Sequence, residues 1–192
     1  MSIPSYVVRS NDRSDAELSM KALIFHQITD AQLENAHTVY LEIFAWLKAK
    51  GVRQWLRPIS REVFVERHQR GELFALSSDN VLTAIVTVAF EINSYWPEKI
   101  GESRRWWIKS LGVARLCHNA GIGRQMMEAC ERHLRTTGAT EVFLDCVDGG
   151  FLPAYYARLG YDEISRKDIT YPSGNTFPMV LMKKPLAHDS AD

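Results

Sequence analysis

Apolar residues along the chain fall into two periods, and the alternation between them predicts the elements. Ala22-Leu23-Ile24-Phe25 reads as a short strand. Thr29 and Gln32 then have the spacing of a capping box, and Leu33, Ala36, Tyr40, Ile43, Phe44 and Leu47 recur at helical spacing up to a terminator at Gly51. Ser60 can cap a second, short helix ending near Gly71, with Ile59 and Phe64 spaced as a hydrophobic staple. Leu73 to Ser77 and Val81 to Glu91 read as strands joined by a turn at Asp79-Asn80. The second of them is apolar on both faces, which predicts a place inside a sheet. A loop from Asn93 to Ser103 leads to a long strand, Arg105 to Ala114, and a helix follows to about Thr137 on a stripe of Ile122, Met126, Cys130 and Leu134. Gly138 ends that helix. A strand from Glu141 to Val147, a short helix between Pro153 and Gly160, and two strands around Pro172-Ser173-Gly174 complete the order β-α-α-β-β-β-α-β-α-β-β. The expected class is α+β, a mixed α/β domain over 20–186, with a mobile tail at 1–19 and a short tail at 187–192.

Composition narrows the function classes. The chain has 192 residues, 46% of them hydrophobic, and its 23 basic residues balance 23 acidic ones. It can bury a core without disulfide or metal support, and no net field draws it to nucleic acid or to an anionic membrane. The polar first nineteen residues lack the apolar core of a secretory signal, and the longest apolar run is too short to span a bilayer. Three widely spaced cysteines, Cys117, Cys130 and Cys146, form no CxxC pair. A cytoplasmic protein with no metal site is the resulting expectation.

The segment from Leu111 to Gln125 carries the chemistry. It reads as a strand end, a turn with Gly121 and Gly123, and a helix start. Amides in the first turn of a helix have no internal partner, and the dipole makes that end positive, so it suits a polyanion. Glycine lets the backbone come close to phosphates. His118 and Arg124 can add charge. A P-loop is excluded because Lys-Ser/Thr is missing, and Met126 stands where a dinucleotide fingerprint has its third glycine.

This segment resembles the GNAT superfamily of acyl-CoA-dependent N-acetyltransferases. Leu111 and Val113 match the apolar strand end of that family, and Gly121-Ile122-Gly123 matches its loop at the usual gap. Downstream, Tyr156-Ala157-Arg158-Leu159-Gly160-Tyr161 resembles the family's Tyr-x-x-Leu-Gly-Phe/Tyr. The resemblance covers roughly Lys21 to Lys184. His118 stands where Arg or Gln is usual, Asn119 where Gly is usual, Arg115 where Pro is frequent, and Gly149 where Asn is frequent.

The resemblance implies a mostly antiparallel twisted sheet of six or seven strands, flanked by about four helices, with the fourth and fifth strands splayed. It implies acetyl-CoA as co-substrate. Leu111, Gly112 and Val113 would hold pantetheine and the acetyl oxygen, and His118, Asn119, Ala120, Gly121, Ile122, Gly123 and Arg124 the diphosphate. It makes Tyr156 the acid that protonates the departing thiolate. The base stays open between Glu91 and Asp145. Trp46, Trp55, Tyr95, Trp96 and Tyr171 are candidates to line a pocket for an apolar or cationic amine. His26, His37 and the cysteines read as packing residues. The expected function is direct acetyl transfer to a primary amine, a small molecule before a protein, by an enzyme of a family in which homodimers are common. The alternative is a noncatalytic module of the same fold that binds acyl-CoA or regulates a partner.

Overall fold

The computed structural model describes residues 6–8, 22–52, 55, 57–117 and 120–187. The described residues form eight strands: β1 Tyr6–Val8, β2 Leu23–Gln27, β3 Leu73–Ser78, β4 Val81–Glu91, β5 Arg105–Val113, β6 Glu141–Val147, β7 Asp162–Thr170 and β8 Thr176–Pro185. The helices are α1 Leu33–Ala49, α2 Arg61–Gln69, α3 Pro97–Ile100, α4 Ile122–Thr136 and α5 Leu152–Arg158. The hydrogen-bonded strand order is β1-β2-β3-β4-β5-β6-β8-β7. The ladders are antiparallel from β1 to β4 and again among β6, β8 and β7; β5 and β6 are parallel and meet at one register pair, Trp107↔Phe143. The strand Tyr6–Val8 lies within the segment read from the sequence as a tail, and it pairs with β2.

The chain forms two compact units, Met1–Thr87 with Ser110–Cys130, and Val88–Lys109 with Glu131–Asp192. In the first, α1 turns Ala36, Tyr40, Ile43 and Leu47 inward to meet Phe64, Leu73, Ala75 and Ile85. The sequence signals act as expected. The Thr29 amide donates to Gln32 Oε1 at 3.1 Å, and the Val63 amide donates to Ser60 Oγ at 3.4 Å. Gly51 and Gly71 end α1 and α2 with φ of 68° and 73°. Asp79 and Asn80 both take positive φ, 49° and 65°, as a two-residue hairpin turn between β3 and β4 requires.

Gly112 in β5 is forced by packing rather than by φ. A Cβ there would lie 2.6 Å from Trp55 Cη2 and 3.0 Å from Ile43 Cδ1. Gly112→Ala is therefore expected to cost about 1–3 kcal/mol through overpacking, read as a lower urea midpoint at unchanged slope.

In the second unit, Trp96, Trp107, Phe143, Ile169, Met179 and Leu181 form the core. α3 lies inside the segment read from sequence as a loop; Pro97 at its first turn and four residues of length explain why no period marked it. On α4, burial lowers the pKa of His133 below its ordinary 6.5. The unfolded chain then takes up a proton that the folded one refuses. Stability is expected to fall as pH drops from about 6.5 toward the folded-state value. His133→Gln should flatten that slope in urea titrations across the range.

Candidate active site

The glycine turn belongs to the first unit. β5 ends at Val113, a 3₁₀ turn covers Arg115–Cys117, and α4 opens at Ile122. His118 and Asn119, two of the expected phosphate-side residues, lie outside the described residues. Ser110 bends β5 just before the expected coenzyme strand. Its φ of 53° is left-handed, a conformation that costs a non-glycine residue on the order of 1 kcal/mol and is typical of functional segments.

Leu111 and Gly112 are buried, and Val113 is half-buried. The Ala114 amide is anchored on the Thr83 carbonyl at 2.8 Å. Gly121 takes φ 70°, its carbonyl accepts the first helical bond from the Gln125 amide at 3.1 Å, and the space a Cβ would occupy is open. Behind it Ile122 and Met126 point into the core, while Arg124 is exposed and pairs with Glu128 at 2.8 Å.

Gln125 Oε1 is buried without a hydrogen-bond partner among the described residues, an orphan in the first turn of the helix. The open space at Gly121 and the positive first turn of a fifteen-residue helix both fit a diphosphate ligand. The same unit holds Trp55 stacked on Tyr40 at 4.5 Å, and a small hollow lined by Tyr40, Ile59, Phe64, Thr87 and Ser110.

Tyr156, Asp145 and Glu91 belong to the second unit. Tyr156 is buried on α5 and packs edge-on to Tyr155 and Tyr161. Burial, with smaller contributions from Cys146, Tyr155 and Asp145, pushes its phenol well above the ordinary 10.0. The group therefore stays protonated through neutral pH, as a proton donor must.

The two candidate bases differ in their partners. Glu91 at the end of β4 is held by Lys109, Nζ to Oε1 2.5 Å. Asp145 in β6 receives the Trp96 indole N–H at 3.2 Å and the Asn93 amide at 3.4 Å, both on Oδ2. Asn93 Oδ1 in turn accepts the Tyr95 backbone N–H at 3.0 Å, which folds the 93–96 turn around the carboxylate. No ion pair reaches Asp145 among the described residues. Tyr95 and Tyr171 flank this group with ring centroids 5.0 Å apart, and burial with Asp145 close by raises the Tyr171 phenol. Trp96, read as a candidate pocket residue, is fully buried and belongs to the core.

Sequence reasoning missed the support under Tyr156. Glu131 of α4 accepts from Tyr161 Oη at 3.2 Å and from Lys184 Nζ at 2.7 Å, and Lys184 also donates to the Leu159 carbonyl at 2.7 Å. The Tyr161 amide closes the turn onto the Tyr156 carbonyl at 3.1 Å. One signal was available: the motif's final aromatic is a tyrosine, whose hydroxyl needs a partner when buried.

Comparison with known proteins agrees with this architecture. An uncharacterised N-acetyltransferase of Chlorobaculum tepidum is 38% identical over 60 residues, 31% of this chain and 36% of that protein, so the match spans about a third of the relative's length. A GNAT-family acetyltransferase from Listeria monocytogenes superposes with a TM-score of 0.73 at 16% identity, over 86% of this chain and 96% of that one. A putative acetyltransferase of Salmonella typhimurium, solved with acetyl-CoA, superposes with a TM-score of 0.65 at 12% identity, over 88% and 97% of the two chains. No described helix is long and apolar enough to cross a membrane. With residues 25–161 matching the acetyltransferase (GNAT) family, the chain belongs to that family.

Proposed function

We propose that the chain moves an acetyl group from acetyl-CoA directly to the primary amine of a small molecule. The observation that carries this reading is the buried, protonated phenol of Tyr156 in a chain whose α4 opens on an uncovered Gly121 turn. In this reading the backbone of Leu111, Gly112 and Val113 pairs with pantetheine like an added strand. The Val113 amide holds the acetyl oxygen. Ala120, Gly121, Ile122, Gly123 and Arg124, with His118 and Asn119, hold the diphosphate through first-turn amides.

The amine lone pair attacks the thioester carbon, the C–N bond forms, and the C–S bond then breaks. Tyr156 gives its proton to the leaving thiolate and is reprotonated, through solvent, by the second proton that the nitrogen sheds once the C–N bond has formed. Before attack the ammonium loses one proton to Asp145. Glu91 is the weaker choice for that task, because Lys109 already neutralises it.

Support for a small cationic acceptor comes from the aromatic residues beside Asp145 and from a solved neighbour of this fold named as an agmatine N-acetyltransferase (TM-score 0.63, 16% identity). Acetyl-CoA calorimetry and thiol release across an amine panel test the proposal. Coenzyme binding with amine-dependent thiol release is the expected result. No binding at millimolar coenzyme overturns it, and tight binding without turnover favours the noncatalytic alternative.

A further inference from the structure

We infer that the surroundings of Asp145 select an amine with no carboxylate beside its amino group, the kind of amine left when an amino acid is decarboxylated. This rests on the reading that the chain acetylates a small amine. Asp145 sits half-buried on β6 with two neutral donors, Asn93 and Trp96, both spent on Oδ2. A partly desolvated carboxylate held only by neutral donors suits an ammonium as its missing partner. Tyr95 and Tyr171 add ring faces, which attract a cation.

An α-amino acid would bring its own carboxylate within a few ångströms of Asp145, and none of the ion pairs among the described residues gives Asp145 a cation to offset it. Lys109 is held by Glu91, Lys167 by Glu98 at 2.6 Å, Arg166 by Asp148 and Glu163, Lys183 by Glu141 and Lys184 by Glu131. Lys167 lies 4.8 Å over the Trp96 ring, and its charge is matched by Glu98. Like charges at such distances repel strongly in a half-buried setting. The class of reaction that supplies the acceptor is therefore the loss of carbon dioxide from an amino acid.

Matched pairs provide the test. Tyramine against tyrosine, and 1,4-diaminobutane against ornithine, are titrated by calorimetry into the full chain with coenzyme A present, for wild type and Asp145→Asn. Each amine is expected to bind at least about tenfold more tightly than its amino acid, equivalent to about 1.4 kcal/mol, and Asp145→Asn should remove most of that ratio. Equal or reversed preference, a ratio that survives Asp145→Asn, or no amine binding at all overturns the inference. If the amide variant does not fold, Asp145→Ser takes its place. An acetyl-CoA titration of the same samples separates the two levels. Coenzyme bound without amine preference sinks the inference alone, whereas no coenzyme bound sinks the acetyltransferase reading with it.

Discussion

Tyr156→Phe is expected to lower turnover by about 10²–10⁴-fold, the usual contribution of a positioned acid, while acetyl-CoA affinity stays within about twofold. The substitution removes one oxygen and leaves the edge-on packing against Tyr155 and Tyr161 in place. Loss of kcat without loss of coenzyme binding is the pattern of an interaction made only in the transition state. The pH dependence has a definite sign. In the proposed role Tyr156 acts in its protonated form, and burial raises its pKa above the ordinary 10.0. The rate it supports should persist to pH 10 and fall only beyond. Unchanged turnover of the phenylalanine variant with a good acceptor would remove Tyr156 from the chemistry.

Lys184→Met is expected to destabilise the protein by about 3 kcal/mol. Breaking a buried ion pair from one side typically costs about 3–5 kcal/mol, because the remaining charge is stranded. Glu131 is 5% exposed and would keep only the Tyr161 hydroxyl, while the 22% exposure of Lys184 places the cost at the low end. For a chain of this size the loss corresponds to a fall in Tm of roughly 6–12 °C. The double variant Glu131→Leu/Lys184→Met should recover most of it, since two apolar residues can fill the place of a buried pair. Activity separates packing from positioning. If the pair also steadies Tyr156, Lys184→Met should slow the enzyme in the wild-type background and have little further effect in the Tyr156→Phe background, a coupling that a double-mutant cycle measures.

What was legible in the sequence was whatever is decided locally. The Thr29–Gln32 box, the Ser60 cap, the Asp79-Asn80 turn and the terminal glycines each act within four residues, and β3, β4, β6 and α4 fall within about a residue of their expected bounds. The Gly121 turn was legible for the same reason. Residues that meet from distant parts of the chain were not. Glu131 and Lys184 are 53 positions apart, and Asn93 and Asp145 are 52 apart; no period connects them. The strand Tyr6–Val8 was missed because three residues in a polar stretch carry too little alternation to register. The sequence groups Tyr95, Trp96 and Tyr171 with Trp46 and Trp55 as candidate pocket aromatics. The structure divides the first three, with Trp96 fully buried and the two tyrosines half-buried beside Asp145. A hydropathy pattern records that a ring is apolar, not which side of a strand it lands on.

Cys146 lies next in the chain to Asp145, and burial, followed by the charge of Asp145, pushes its thiol up to about 12. At pH 8 only about one such thiol in ten thousand is ionised. Peroxide and disulfide reagents attack the ionised form, so this position should resist oxidative damage that would otherwise introduce a bulky, polar sulfur adduct near Tyr156. Chromogenic thiol assays of this protein should accordingly record the liberated coenzyme with little background from Cys146.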